Sequence, residues 1–353
     1  MKLLYIINSL GTGGAEKLLV DMIPIVEKKG IQVELLILQK TNSFFEQEVV
    51  QSNIKIHYSS NSLYSPKNIL LIRNLAKKFD LVHVHLFPSQ YWAAFSFSKT
   101  PMIITEHCTT NKRRKKVYQL IERLTYGRYE KIISISQKAD DSIQKWLGFS
   151  KNKFAMIENG INLETFNNAL PITIETIPPH CKKIIMVGRF NATKDQPTAI
   201  KAMSVLQENV HLLLVGDGNL RNSCEELAKT LKVDHRVHFL GLRKDVPQLL
   251  KSCDINLISS HSEGLSISSL ECLASGKPLI TSDVNGLREV NKGAGLLFED
   301  TNFHELANCV NQLLGDVDFY NLVSKRGLQR AMEYNINRTV DQHVKLYNQL
   351  VNG

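Results

Sequence analysis

The sequence predicts an α/β protein made of two consecutive doubly wound halves. Three observations carry this. Short apolar runs alternate with amphipathic helical stretches along most of the chain, which is the pattern of parallel βαβ units. The alternation breaks once, over 162–181, and restarts at Lys183. At 353 residues, the chain is too long for one ordinary core and long enough for two.

The elements follow in order. Leu3–Ile7 reads as a buried strand, and Gly11-Thr-Gly-Gly-Ala-Glu16 as a glycine turn into a helix over 15–29. Leu18, Leu19, Met22 and Val26 give that helix one apolar face, and Pro24 is expected to kink it or end it early. Strands are expected at 33–38, 54–58, 81–86, 102–105, 131–135 and 154–157. Helices are expected at 66–79, 88–98, about 112–127 and 137–147. The stretch 162–181 holds Pro171, Pro178 and Pro179 with little periodicity and reads as a linker. Beyond it, strands are expected at 183–187, 211–215, 237–240, near 255, near 279 and at 295–298. Helices fall between them, and helical pattern fills the chain from about 303 to its end.

The domains expected are therefore 1–165 and 182–335, followed by a C-terminal helix, 336–353. A cleft between two such halves is the expected ligand site.

Composition narrows the function classes. Hydrophobic residues are 43% of the chain, as in soluble globular proteins. No apolar run reaches the ~18 residues of a membrane span. The opening strand lacks a signal-peptide cleavage pattern. The 6 cysteines are scattered with no C-x-x-C pair, which fits a reduced cytosolic protein and argues against a zinc or disulfide framework. Metal ligands and resident cofactors are expected to be absent.

The net charge is +9, and part of it is local. Lys112, Arg113, Arg114, Lys115 and Lys116 form a basic tract suited to an anionic membrane surface, or to a solvated face. Nucleic acid is not expected as a partner. The localisation expected is cytoplasmic, with this tract touching the inner face of the membrane.

The residues most suggestive of chemistry are Glu263-Gly-Leu-Ser-Ile-Ser-Ser-Leu-Glu271, between a strand and a helix. Free N–H groups and the helix dipole at such a junction attract an anion, phosphate above all. Gly264, Ser266, Ser268 and Ser269 would let it come close. The flanking carboxylates do not bind an anion and are better explained as acceptors for ligand hydroxyls. Arg189 and Lys194, just after the first strand of the second half, suit a diphosphate. His107 ends a strand in the first half, where ligands of open parallel sheets bind. His83 and His85 lie inside a strand and read as packed. The turn at Gly11 is a poor dinucleotide fingerprint, because Glu16 stands where the last glycine belongs.

Taken together these residues resemble the GT-B glycosyltransferases, and among them the large retaining group called family 4. The resemblance rests on five markers in order: Gly13-Gly-Ala-Glu16, Gly188-Arg-Phe with Lys194, Gly216-Asp-Gly218, Phe239-Leu-Gly241 and Glu263-x7-Glu271. It implies a nucleotide-sugar donor, usually UDP-linked, held mainly by the second domain, with the acceptor on the first. It gives Arg189 and Lys194 the diphosphate, Glu263 the donor-sugar hydroxyls and Glu271 the ribose. Gly188, Gly264, Leu265 and Ser266 would meet phosphate or sugar, and Leu240, Gly241 and Leu242 the base. Gly13 and Gly14 would approach the phosphate, and His107 the transferred sugar. No protein nucleophile and no metal are implied, and the C-terminal helix, 336–353, is implied to cross back onto the first domain.

The serines at 266, 268 and 269, and the loose match at Asp283-Val-Asn-Gly286, depart from the family pattern and bear on which sugar is used. The function expected is transfer of a hexose or N-acetylhexosamine to a glycan or lipid-linked acceptor in bacterial polysaccharide, capsule or lipopolysaccharide synthesis. The alternatives are a nucleotide-sugar epimerase of the same architecture, a non-catalytic two-lobed sugar-binding protein and, more distantly, an NAD dehydrogenase.

Overall fold

The computed structural model describes residues 1–52, 54–107 and 114–352. Its contacts group into two units, Met1–Gly160 with Ile336–Gly353, and Ile161–Asn335.

In the first unit, strands β1 (Lys2–Ile7), β2 (Gln32–Ile37), β3 (Lys55–Tyr58), β4 (Leu81–His85), β5 (Met102–Glu106), β6 (Lys131–Ser134) and β7 (Phe154–Met156) form one sheet. Their order is β3-β2-β1-β4-β5-β6-β7 and every pairing is parallel. Helices α1 (Gly14–Lys28), α2 (Phe44–Gln51), α3 (Lys67–Ala76), α4 (Ser89–Phe95), α5 (Gln119–Gly127) and α6 (Gln137–Leu147) connect the strands. Leu3 to Ile7 are fully buried, because crossover helices cover both faces of a parallel sheet. The strand order reverses between β1 and β4. Asn8 ties these two strand ends together: its Oδ1 accepts from Ser89 N at 3.0 Å and its Nδ2 donates to Phe87 O.

The second unit repeats the scheme. Strands β8 (Lys182–Val187), β9 (Val210–Val215), β10 (Val237–Gly241), β11 (Ile255–Ile258), β12 (Leu279–Ser282) and β13 (Leu296–Phe298) pair in parallel, in the order β10-β9-β8-β11-β12-β13. Helices α7 (Leu163–Asn168), α8 (Gln196–Met203), α9 (Arg221–Thr230), α10 (Val246–Ser252), α11 (Ile267–Ala274), α12 (Leu287–Asn291), α13 (Phe303–Gly315) and α14 (Val317–Glu333) complete it. The reversal falls between β8 and β11.

The last helix, α15 (Ile336–Asn352), belongs to the first unit and packs on α1 and β4. Tyr347 Oη meets Tyr5 Oη at 3.0 Å and His83 Nδ1 at 2.8 Å. Lys29 pairs with Asp341 at 2.7 Å, and Thr339 Oγ1 donates to Glu158 O at 2.9 Å. No helix among the described residues is long and apolar enough to cross a membrane.

Three local expectations are corrected. Helix α1 runs through Pro24 to Lys28. Pro24 lies on the exposed face, while Leu18, Leu19, Met22, Ile23 and Val26 pack inward on both sides of it and hold the helix together. The expected linker contains helix α7, capped by Asn162 and anchored by Phe166, which is 1% exposed. It is also tied down, with Lys251 Nζ donating to Ala169 O at 3.0 Å and Ser252 Oγ accepting from Ile172 N at 2.7 Å. One buried aromatic and a cap suffice for six residues that show no periodicity. Of the helix expected from about 112, residues 112 and 113 lie outside the described residues, Arg114 and Lys115 are not helical, and a 3-10 turn, Lys116–Tyr118, leads into α5. The consecutive cations Arg114 to Lys116 repel one another and offer no apolar stripe to bury.

Candidate active site

The second unit gathers most of the predicted residues at the carboxyl ends of β8, β9, β10 and β11. Strands β8 and β11 are neighbours, so the loops that follow them lie side by side at the reversal of strand order. Ligands of open α/β sheets bind at this point.

The loop after β8 is built around a turn. Asn191 Oδ1 accepts from Thr193 N and Lys194 N, both at 3.1 Å, and Phe190 is 1% exposed. Phe190 N also donates to Asp217 O at 3.0 Å, which fixes the loop to the turn after β9. In that turn Gly216 has φ +134°, and a Cβ there would strike the carbonyl of Gly188, so the close crossing needs glycine.

Arg189 is exposed and makes no side-chain hydrogen bond among the described residues. Lys194 turns back with its stem against Gly188, 3.5 Å from where a Cβ would stand. Its Nζ pairs with Glu263 Oε1, which also accepts from Ser260 Oγ at 2.8 Å. The two charged side chains are 20% and 14% exposed.

Glu263, Gly264, Leu265 and Ser266 form the loop between β11 and α11. Gly286, at φ +88°, presses on this loop from the start of α12, where a Cβ would strike the carbonyls of Glu263 and Gly264. Ser266 caps α11, its Oγ accepting from Ser269 N at 3.3 Å. Glu263 therefore precedes the helix, and only Glu271, half-buried, lies on it. The two glutamates are thus held by different elements, the loop and the helix.

The serines also divide. Ser269 is fully buried and faces the core, and Ser266 is spent on the cap, which leaves Ser268 half-buried. Leu265 and Ser266 are buried and offer their backbone only. Leu240 and Gly241 end β10, and Leu242 is exposed beyond them.

In the first unit, Gly13 caps α1 and Gly14 begins it. The carboxylate of Glu16 folds back over Gly13, where a Cβ would collide with it.

His107 follows β5. Its Nε2 meets His85 Nδ1 at 3.0 Å, and the rings lie 5.3 Å apart. Desolvation, with the charge of His343 adding to it, pushes His107 down to about 4, so the ring is neutral at pH 7. His83 is packed as expected, between Tyr347 Oη at 2.8 Å and Thr105 Oγ1 at 2.7 Å.

Of the basic tract, Lys112 and Arg113 lie outside the described residues, as does Cys108. Arg114 donates to Ser142 Oγ, while Lys115 and Lys116 are exposed. Sequence reasoning missed Ser260, Asn191 and the packing role of Gly286. Asn191 could have been found, because an Asn in a loop after a strand readily accepts from the backbone two residues on, here Thr193 N, in an Asx turn.

Two family profiles match this chain. Glycosyl transferases group 1 matches residues 173–330, and Glycosyltransferase Family 4 matches residues 12–165. The chain is a family 4 glycosyltransferase. The two matches split at the same place as the two sheets.

Among its relatives is the N,N'-diacetylbacillosaminyl-diphospho-undecaprenol alpha-1,3-N-acetylgalactosaminyltransferase of Campylobacter jejuni. The two are 30% identical over 218 residues, covering 58% of this glycosyltransferase and 57% of that relative. A second C. jejuni enzyme is 26% identical over 360 residues, covering 94% and 95% of the two chains. It is the N-acetylgalactosamine-N,N'-diacetylbacillosaminyl-diphospho-undecaprenol 4-alpha-N-acetylgalactosaminyltransferase. In three dimensions the glycosyltransferase superposes on an Anabaena protein crystallised with UDP and glucose, at TM-score 0.85 and 19% identity. The superposition covers 99% of this chain and 100% of the other. That likeness establishes the GT-B fold, with two parallel-sheet Rossmann-like domains.

Proposed function

We propose that this glycosyltransferase moves a hexose or N-acetylhexosamine from a UDP-linked donor to a lipid-linked glycan acceptor, with retention at the anomeric carbon, in bacterial cell-surface polysaccharide or lipopolysaccharide synthesis. The observation that carries the reading is the Lys194–Glu263 pair beside the exposed Arg189, next to the N-terminus of α11. This set can hold a diphosphate and a sugar at once. Arg189, Lys194 and the α11 N–H groups meet the diphosphate, and Glu263 exchanges Lys194 for donor-sugar hydroxyls. Glu271 takes the ribose, and Leu240, Gly241 and Leu242 lie along the base. The cations neutralise the leaving group, so the diphosphate needs no metal.

In the transfer step the bond from the anomeric carbon to the UDP oxygen breaks. The acceptor oxygen bonds to the same face of that carbon, and its proton passes to the leaving phosphate. The first unit carries the acceptor and the second the donor. Gly13 and Gly14, at the start of α1, offer backbone N–H groups to a ligand phosphate. His107, neutral, hydrogen-bonds the transferred sugar.

The lipid-linked acceptor is supported by the two C. jejuni relatives, whose names specify diphospho-undecaprenol substrates. Lys115 and Lys116 are exposed for an anionic membrane surface, and the enzyme works peripherally on the inner face of the membrane.

Calorimetry of UDP, GDP and NAD without metal, beside a Glu271→Ala variant, tests the donor. UDP is expected to bind and to weaken in the variant. GDP preference would change the donor class, and binding of NAD alone would overturn the reading.

A further inference from the structure

Asp195, His261 and Asp300 meet at one edge of the second unit, and none of them takes part in the proposed transfer. Asp195 follows Lys194 directly, His261 precedes Glu263 by two residues, and Asp300 follows β13. Their ligand atoms all lie within 4.8 Å of one another.

The details select a particular chemistry. Asp195 is 7% exposed. Its Oδ1 accepts from Thr198 N at 3.4 Å, as the cap of α8. Its Oδ2 is sealed from water and has no hydrogen-bond partner. An ionised oxygen held dry without a donor is costly, so something should compensate it. That oxygen faces His261 Nε2 across 3.9 Å. On the other side of the ring, Nδ1 meets Asp300 Oδ1 at 2.8 Å. With Nδ1–H donating to Asp300, Nε2 presents a lone pair toward Asp195 Oδ2.

Two lone pairs facing each other over 3.9 Å leave a gap too long for a hydrogen bond. A cation bound at ~2.0–2.2 Å from each would bridge it. A carboxylate on the far nitrogen is the usual support for a metal-bound histidine, fixing its tautomer and raising its basicity. Imidazole with carboxylate favours a borderline transition-metal dication over the hard Mg²⁺ or Ca²⁺.

We propose that Asp195 Oδ2 and His261 Nε2 ligate a transition-metal dication of the Zn²⁺ or Co²⁺ type, with Asp300 orienting the histidine. The bound ion braces the Lys194 loop against the Glu263 loop. These are already joined by His261 N donating to Thr193 O at 2.9 Å. The site lies beside the diphosphate residues without sharing any of them, so it stands or falls independently of the donor reading.

The test is calorimetric titration of the chelator-stripped full chain with Zn²⁺, with Mg²⁺ in parallel, for the native protein and the His261→Gln and Asp300→Asn variants. Far-ultraviolet circular dichroism and the melting temperature in chelator serve as the folding control. About one Zn²⁺ per chain is expected. His261→Gln should abolish its binding, and Asp300→Asn should weaken it about 10–100-fold, the usual effect of losing an outer-shell partner. Mg²⁺ should give no comparable heat. Absence of Zn²⁺ binding up to about 1 mM would overturn the proposal, as would unchanged binding in His261→Gln. In the latter case the ion would sit elsewhere, for example at His211 and His238, whose rings are stacked 5.3 Å apart. Tighter binding of Mg²⁺ than of Zn²⁺ would overturn it as well.

Discussion

Lys194 and Glu263 are joined as an ion pair across two loops that leave adjoining parallel strands. Ser260 of the same loop also holds Glu263. On the function proposed above, the pair holds the cation for the diphosphate and the carboxylate for the sugar before any ligand arrives. Preorganisation of this kind makes electrostatic catalysis effective, because no reorganisation is needed at the reacting moment.

The pair also predicts opposite behaviour for its two members. Lys194→Met removes a charged donor, so UDP affinity should fall by about 1.5–3 kcal/mol, together with transfer. Glu263→Gln removes the carboxylate that competes for Lys194. UDP affinity should hold or rise, while the transfer rate drops about 10²–10³-fold. Calorimetry of UDP alone and turnover of the full donor separate the two. Parallel losses of UDP affinity in both variants would show that the glutamate is not a competitor for the lysine.

Arg189 should split differently. It is exposed and makes no side-chain hydrogen bond among the described residues, so Arg189→Ala should change stability by less than about 0.5 kcal/mol. Its loss should appear in turnover and in UDP binding. Arg189→Lys should restore only part of both, because an ammonium cannot grip a phosphate bidentately. A large drop in melting temperature for the alanine variant would mean a structural role instead.

Gly286→Ala tests the support of the Glu263 loop. The new Cβ would meet two carbonyl oxygens, and φ +88° is unfavourable for any side chain. The left-handed backbone alone costs about 1–2 kcal/mol. In a unit of this size, each kcal/mol lowers the melting temperature by about 2–4 °C. The donor KM should rise as well, since the displaced carbonyls belong to the donor loop. An unchanged melting temperature and KM would mean that the loop yields freely.

Much of this was legible in the residues. The alternation of apolar runs with amphipathic stretches carried both sheets, because strands of parallel sheets are buried on both faces and helices must cover them. Glycines and charges at strand ends marked the loops after β8, β9 and β11, where side-chain type and backbone requirement coincide.

What was hidden depends on contacts between residues far apart in sequence. The apolar face on both sides of Pro24 was visible, but not that its burial would outweigh the proline and carry α1 through to Lys28. Nothing at Asp195 announces His261, 66 positions on, or Asp300 beyond it. Ser269 looked like a phosphate contact because it is small and polar. Which face of α11 it occupies depends on where the helix begins, and the Ser266 cap settled that.

The first unit carries a pH dependence of its own. His83, His85, His107 and His343 cluster between β4, β5 and α15, facing Tyr5, Tyr347 and Thr105. Burial is the largest cause of depression in each. It holds His83 and His85 well below the usual histidine range and lowers His107 and His343 to about 4, the latter against the pull of the Thr339 carbonyl. In the unfolded chain these rings titrate near 6.5. The native state therefore binds fewer protons than the unfolded state between about pH 4 and 6.5. Stability rises with pH in that window: it is fully present above about 6.5 and lost as pH falls toward 4. Each ring contributes up to about 1.4 kcal/mol per pH unit there. Urea midpoints between pH 6.5 and 5 should fall steeply, in a range where most carboxylates remain ionised. His211 and His238 in the second unit are also lowered, so the comparison must isolate the cluster. His343→Leu removes one titrating ring, and its stability should depend on pH by about one proton less than that of the native chain. An equal slope in the two proteins would show that His343 is not among the groups that take up protons on unfolding.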